Sequence, residues 1–233
     1  MSLSPGIAVA VAAGAASLVF AGLWLVQRRT GDAGIVDVGW SLSLGAMAAF
    51  YALVLDADPL RRALVAALAG LWSVRLAAHL VARNRGRPED GRYRRLREAW
   101  GAAAQAKLFR FFQFQAVAAV LLSLPMLSAM MSGAPAVSAW TVAGAVVALV
   151  AIAGEAAADR QLERFRADPS NRGRTCRAGW WAWSRHPNYF FEWLVWFAWP
   201  LLAAGSPWLW GAAWRSEERR VGKEGSSRWS PEH

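Results

Sequence analysis

Hydrophobic residues fall in long uncharged runs along this chain, and two arginine-rich stretches break the runs. The first run, residues 5–26, ends at Gln27-Arg28-Arg29. It has no basic residues ahead of it and exceeds the roughly 7–15-residue core of a secretory signal, so it predicts a first transmembrane helix. Residues 34–55 predict a second helix, closed by Asp56-Ala57-Asp58-Pro59 because proline cannot continue a helix. Residues 61–83 predict a third. Arg75, His79 and Arg83 recur there at every fourth position and share one face. A polar stripe on a membrane helix belongs toward the protein interior or a watery mouth.

From Phe111 to Gly154, 44 consecutive positions carry no charge. One crossing takes about 20 residues. The run therefore predicts two helices, with Ser132-Gly133-Ala134-Pro135 as the turn between them. Another helix starts near Pro187, a residue suited to the first helical position. Trp193–Trp214 is again uncharged, Gly205-Ser206-Pro207 divides it, and Trp208–Trp214 begins a further helix. The expected fold is an all-α polytopic transmembrane bundle of six clear helices plus a truncated seventh, occupying residues 1–214. Residues 215–233 are polar and read either as a solvated tail or as a segment foreign to the fold.

Composition agrees with a membrane protein. The chain has 233 residues, 56% hydrophobic and only 18% charged, which excludes a disordered protein. The single cysteine, Cys176, excludes a disulfide framework. With three histidines beside it, a Cys/His zinc site lacks ligands, and no metal is expected. A net charge of +10 would point to nucleic acid in a soluble chain. Here residues 83–107 hold eight Lys/Arg against three Asp/Glu, and residues 159–186 hold seven Arg against three. Both stretches lie between apolar runs, the pattern of cytoplasmic loops. No nucleic-acid partner is expected, and the N-terminus is placed outside. A cytoplasmic basic loop is also where an anionic cofactor would arrive. Nine of the 15 tryptophans lie between 180 and 214. They read as an interfacial belt with helix packing, or alternatively as a stacking wall for a flat ring.

Rossmann, P-loop and H-E-x-x-H patterns are absent, as is a nucleophile elbow. The densest chemical cluster is Ser184-Arg185-His186-Pro187-Asn188-Tyr189-Phe190-Phe191-Glu192. Free N–H groups at a helix start favour an anion, and Arg185 and His186 add donors there. Asn188 and Glu192, four apart, share a face just inside the membrane. A carboxylate there needs a partner. The competing structural explanation is a helix start stapled by Arg–Glu pairing.

The 184–192 string resembles the signature of the membrane-embedded steroid 5-alpha-reductase-like family, in particular its bacterial branch known as an uncharacterised domain. Asp37-Val38-Gly39-Trp40 is similar to that branch's Asp-x-x-Trp. Glu89-Asp90-Gly91-Arg92-Tyr93 is similar to its Glu-Asp-x-Arg-Tyr, and Phe112, Gln115 and Leu124-Pro125 to its fourth helix. The resemblance covers roughly residues 30–214 and implies seven helices, a bacterial inner membrane and an NADPH cofactor. The implied reaction reduces an enone carbon–carbon double bond in a hydrophobic, lipid or steroid-like substrate. It further implies that Asn188 and Glu192 contact the nicotinamide end, with Arg185, His186 and Tyr189 close by and Asn171 and Arg172 in a cofactor loop.

Hydride addition to an enone leaves charge on the carbonyl oxygen, and a donor aimed at it stabilises the enolate. Asp37 is the candidate catalytic donor by position and Tyr93 the second. The family's donor tyrosine in the third helix has no counterpart here, so His79 or Arg75 takes that place. For Asp37 the structural explanation is a helix-start acid paired with an arginine. Beyond residue 214 the chain departs from the family, whose seventh helix and aromatic-proline end help to grip the cofactor.

Two other readings compete. Integral membrane methyltransferases of the isoprenylcysteine carboxyl type carry a similar Arg-His-Pro-x-Tyr and bind S-adenosylmethionine. A non-enzymatic or inactive membrane protein is the third. No charged stripe runs through all the helices, so a channel or pump is not expected.

Overall fold

The computed structural model describes residues 2–86 and 88–204. Among them are seven α-helices and no strand: α1 (Pro5–Thr30), α2 (Ile35–Val54), α3 (Pro59–Asn84), α4 (Gly91–Trp100), α5 (Ala104–Met130), α6 (Ala139–Ala167) and α7 (Pro187–Leu202). Helices α1, α2, α3 and α6 and the segment Gly91–Met130 are each long and apolar enough to cross a membrane. The molecule is a helical membrane bundle. The six expected helices correspond to α1, α2, α3, α5, α6 and α7. Trp208–Trp214 and the 215–233 tail lie outside the described residues.

Local chemistry sets the helix ends. Ser4 caps α1 with Pro5 following, Asp58 caps α3 with Pro59 following, and Ser138 caps α6. Each cap side chain takes a backbone N–H that the first turn leaves free. Gly31, at φ +76°, closes α1 in the left-handed conformation that glycine adopts without strain.

Two elements depart from expectation. The first basic stretch contains α4, a ten-residue helix capped by Asp90, with Tyr93 buried beneath it. Helix α6 continues past Gly154 to Ala167, because the acids that follow face inward onto α3.

Small residues let helices approach closely. Ala8, Ala12, Ala16 and Phe20 are the buried face of α1. A methyl at Gly154 would enter the Phe191 ring, and one at Gly144 would press on Leu202, so α7 rides directly on the α6 backbone. Loops gather at two ends. At one end, Leu3 donates to Val54 O at 2.7 Å. There the buried Arg61 also donates to the carbonyls of Leu202 (2.9 Å), Ala134 (3.2 Å) and Pro135 (2.6 Å) and to Thr141 Oγ1 (3.2 Å). The opposite end carries the basic stretches and both groups of candidate residues.

Candidate functional site

The candidate residues form two separate groups at the basic end. The first lies where α4 meets the α1–α2 turn. Tyr93 Oη donates to Asp37 Oδ1 at 2.8 Å, and Arg92 donates to Asp37 Oδ2 at 3.0 Å. Glu89 accepts the Ala33 N–H at 2.8 Å and the Arg97 guanidinium at 3.1 Å. Arg97 reaches on to Gln27 Oε1 at 2.7 Å, and Gln27 donates to Gln105 at 2.8 Å. Asp90 caps α4 through the Arg92 N–H at 2.9 Å. That backbone hydrogen bond holds the Asp90 carboxyl below its ordinary range; desolvation opposes the shift, and the Arg92 guanidinium adds to it. All of Glu89-Asp90-x-Arg92-Tyr93 is thus used to dock α4. The arginine that pairs with Asp37 is Arg92 of the neighbouring helix α4.

The second group lies between α3, α6 and α7. Arg75 pairs with Glu155 at 2.8 Å and with Asp159 at 3.0 Å. His79 Nδ1 lies 3.5 Å from Asp159 Oδ2 and 3.3 Å from Glu163 Oε1. Glu155, Asp159 and Glu163 repeat at every fourth position, so the acidic stripe of α6 matches the Arg75, His79, Arg83 stripe of α3. Asn188 donates to Asp159 Oδ1 at 3.3 Å. One turn deeper, Glu192 accepts the indole N–H groups of Trp72 (2.9 Å) and Trp196 (3.3 Å). Glu192 therefore has its partners in tryptophans, and Arg185 makes no ion pair among the described residues.

Above this stripe opens a cleft of about 1570 Å³ between the ends of α3 and α6, the 168–186 loop and the start of α7. Its floor includes His79, Asp159 and Asn188, and its walls carry Arg83, Arg166, Arg172, Arg174, Arg177 and Arg185. Asn171, His186 and Tyr189 also line it. The His186 and Tyr189 rings are stacked, 5.3 Å apart and nearly parallel. Asn171 Nδ2 donates to Phe165 O at 2.9 Å, which fixes the loop at the end of α6. One acceptor at the cleft, Asn188 Oδ1, is buried without a hydrogen bond. A buried acceptor left unmade costs free energy, so this atom marks a place for a donor group.

Of the expected site residues, Asn171, Arg172, Arg185, His186, Asn188 and Tyr189 line the cleft, and Glu192 sits just beneath its floor. Asp37 and Tyr93 are hydrogen-bonded to each other and do not line this cleft. Their polar atoms are taken by helix docking. The tryptophans divide: Trp72 and Trp199 are buried, whereas Trp183 is 90% and Trp193 60% exposed. No group of His, Cys, Asp and Glu among the described residues is placed to hold a metal ion.

A family model described as "Protein of unknown function (DUF1295)" matches residues 23–214. The chain belongs to this family. No curated protein and no solved structure matches it. The family match includes every residue of the cleft and of the α4 joint in this DUF1295 chain.

Sequence reasoning missed Glu155, Asp159 and Trp72. A signal existed for the two acids: Glu155 ends a 44-residue uncharged run, and Asp159 and Glu163 follow at the spacing already seen on α3. Two stripes of opposite charge on membrane helices call for each other. Nothing in the sequence marks Trp72 among 15 tryptophans as the donor to Glu192.

Proposed function

We propose that this DUF1295 chain is a membrane-embedded, NADPH-dependent reductase. It acts on a carbon–carbon double bond conjugated to a carbonyl in a hydrophobic, lipid or steroid-like substrate. On this reading the family is steroid 5-alpha-reductase-like. The chain sits in a bacterial inner membrane with its N-terminus outside and the cleft facing the cytoplasm, in keeping with the positive-inside pattern of its loops.

The observation that carries this reading is the charge of the cleft. Six arginines line an open cleft of about 1570 Å³, against three acids, Asp159, Glu163 and Asp168. Such walls suit a large polyanion. NADPH carries several phosphate charges, whereas S-adenosylmethionine offers one carboxylate against its cationic sulfonium and amino groups and uses far fewer arginines. The residues also fit the other end of the dinucleotide. A carboxamide NH₂ is a donor, and Asn188 Oδ1 is a buried acceptor with no hydrogen bond.

On this reading Arg172 and Arg185 hold phosphate, and the stacked His186 and Tyr189 flank the cofactor. Asn188 stays oriented through Asp159. Glu192, fixed by the Trp72 and Trp196 indoles, closes the site toward the membrane interior. When bound, NADPH supplies the hydride. The helices exclude water, so donors near the substrate oxygen act in a low dielectric, where they are most effective. Asp37 and Tyr93 are assigned to docking α4 rather than to the chemistry.

The test is a thermal-shift assay on detergent-purified protein with NADPH, NADH and S-adenosylmethionine in turn. A ligand that binds only the folded state raises its apparent stability. Stabilisation by NADPH, reduced in Asn188→Ala and Glu192→Gln, is the expected outcome. Stabilisation by S-adenosylmethionine alone moves the chain to the methyltransferases. No shift with any of the three places it among the non-enzymatic readings.

A further inference from the structure

Helix α5 carries two cations on the face it turns to lipid. Its buried face includes Leu108, Phe112, Ala116, Ala119 and Ser123. Lys107, Arg110, Phe114, Val117 and Leu121 follow one another in steps of three and four and are all exposed, so they form one stripe on the opposite side. The uncharged part of the helix, Phe111–Met130, is about 30 Å long at 1.5 Å per residue, which matches the hydrocarbon core of a bilayer. Lys107 and Arg110 therefore stand at the edge of the hydrocarbon, where lipid phosphates lie. Neither makes an ion pair among the described residues. The arginines of α4 nearby are used differently: Arg92 pairs with Asp37 and Asp90, and Arg97 with Glu89. Lys107 Nζ stands 5.8 Å from the centre of the Trp100 ring, and tryptophan at this depth is a common membrane anchor. Neither cation lines the arginine-rich cleft.

We infer that this end of the α5 stripe is a binding site for an anionic phospholipid. Lys107 and Arg110 hold the headgroup phosphate, Trp100 flanks it, and an acyl chain lies along Phe114, Val117 and Leu121. An exposed cation bordering hydrocarbon keeps its charge by reaching water or an anion, and its apolar stem covers the lipid-facing surface below. A lipid phosphate supplies that anion at the right depth and accepts charge-assisted hydrogen bonds from both side chains. A zwitterionic headgroup brings its own cation and gains less. The site ties the start of α5, and through Trp100 the end of α4, to the membrane surface. It is separate from the cleft and does not rest on the reductase reading.

The test titrates the detergent-purified whole chain with phosphatidylglycerol, phosphatidylcholine or inorganic phosphate and follows the Tm. Phosphatidylglycerol is expected to raise it most. Lys107→Gln and Arg110→Gln are each expected to weaken the apparent affinity for phosphatidylglycerol about fivefold, the effect of one cation beside an anionic lipid. Arg94→Gln and Arg95→Gln remove the same charge from exposed positions of α4, off the stripe, and should change that affinity less than about twofold because salt screens them. Equal losses in the two pairs would mean diffuse attraction to the surface and overturn the site. Phosphatidylcholine as effective as phosphatidylglycerol overturns it too. An equal response to inorganic phosphate assigns the cations to a free anion and overturns the lipid. Native mass spectrometry gives a readout independent of variant stability. Phosphatidylglycerol is expected to stay on the wild type through delipidation and to be lost from the Lys107→Gln, Arg110→Gln double variant, and equal retention by the two proteins overturns the inference.

Discussion

Two arginine–carboxylate networks lie at the same end of this bundle and do different work. At the α4 joint, Arg92, Tyr93 and Arg97 meet Asp37 and Glu89, and the polar groups there are consumed in holding helices together. Between α3, α6 and α7, Arg75 and His79 meet Glu155, Asp159 and Glu163 beneath an open cleft, and the acceptor Asn188 Oδ1 is left over. Exposure separates the Arg92–Asp37 pair from the Arg75 pairs, although Arg97 and Glu89 at the α4 joint are nearly as buried as Arg75. The Arg92 side chain is 58% exposed, whereas those of Glu155 and Asp159 are 6% and 7%. A charged motif therefore does not mark a site by itself. The site is where buried polar atoms remain without partners and a ligand has room to reach them.

The sharpest way to break the comparison is to remove one arginine from each network. Arg75→Ala leaves Glu155 and Asp159 buried without their counter-charge and is expected to cost about 3–5 kcal/mol. Arg92→Ala acts on an exposed pair and is expected to cost at most about 1 kcal/mol. Denaturant unfolding in detergent measures both, and equal losses would erase the distinction. Tyr93→Phe comes next. It removes an O–H donor to a carboxylate from a buried position, about 1.5–2 kcal/mol, and leaves any NADPH-induced stabilisation unchanged. A Tyr93→Phe protein that keeps its stability but loses the response to NADPH would return Tyr93 to the chemistry.

Gly154→Ala tests the geometry beneath the cleft. The added methyl meets the Phe191 ring and pushes α7 from α6, at a cost of about 1–2 kcal/mol. Because Asn188 and Glu192 ride on α7, the same substitution should weaken NADPH stabilisation, which separates it from Tyr93→Phe. An effect in the range of Arg92→Ala is expected for Asp90→Ala, about 1 kcal/mol for a lost N-cap. Its pH dependence has a definite sign. The folded carboxyl lies below its unfolded value, so its contribution is complete above about pH 4 and is lost as pH falls through the lowered folded value. The stability difference between wild type and variant should therefore be flat near neutrality and shrink in acid.

Much of the fold was legible in the chain. Uncharged runs bounded by Arg28-Arg29, by Asp58-Pro59 and by the Ser132–Pro135 turn located five helices, and Pro187 located the start of another. Helix α4 was hidden, because its arginines read as loop and its only buried residue is Tyr93. Half of the site was legible too. The 184–192 string pointed to residues that line the cleft, and the stripe on α3 pointed inward. The acids on α6 went unread because their significance depends on facing α3. Asp37 and Tyr93, named as first and second candidate donors, bond to each other away from this cleft, since a motif does not record which side of a helix joint it serves.

What the sequence by itself determined is the set of segments that cross the membrane and the end at which positive charge accumulates. Both follow from the cost of placing polar groups in hydrocarbon, which each segment meets alone. Only the tertiary structure decided which charges meet. A buried arginine or carboxylate must find its partner on another helix, and that partner is selected by helix rotation and by close approaches such as Gly154 against Phe191. The pairing of Arg75 with Glu155 and Asp159 and the indole donors on Glu192 depend on packing between segments distant in the chain.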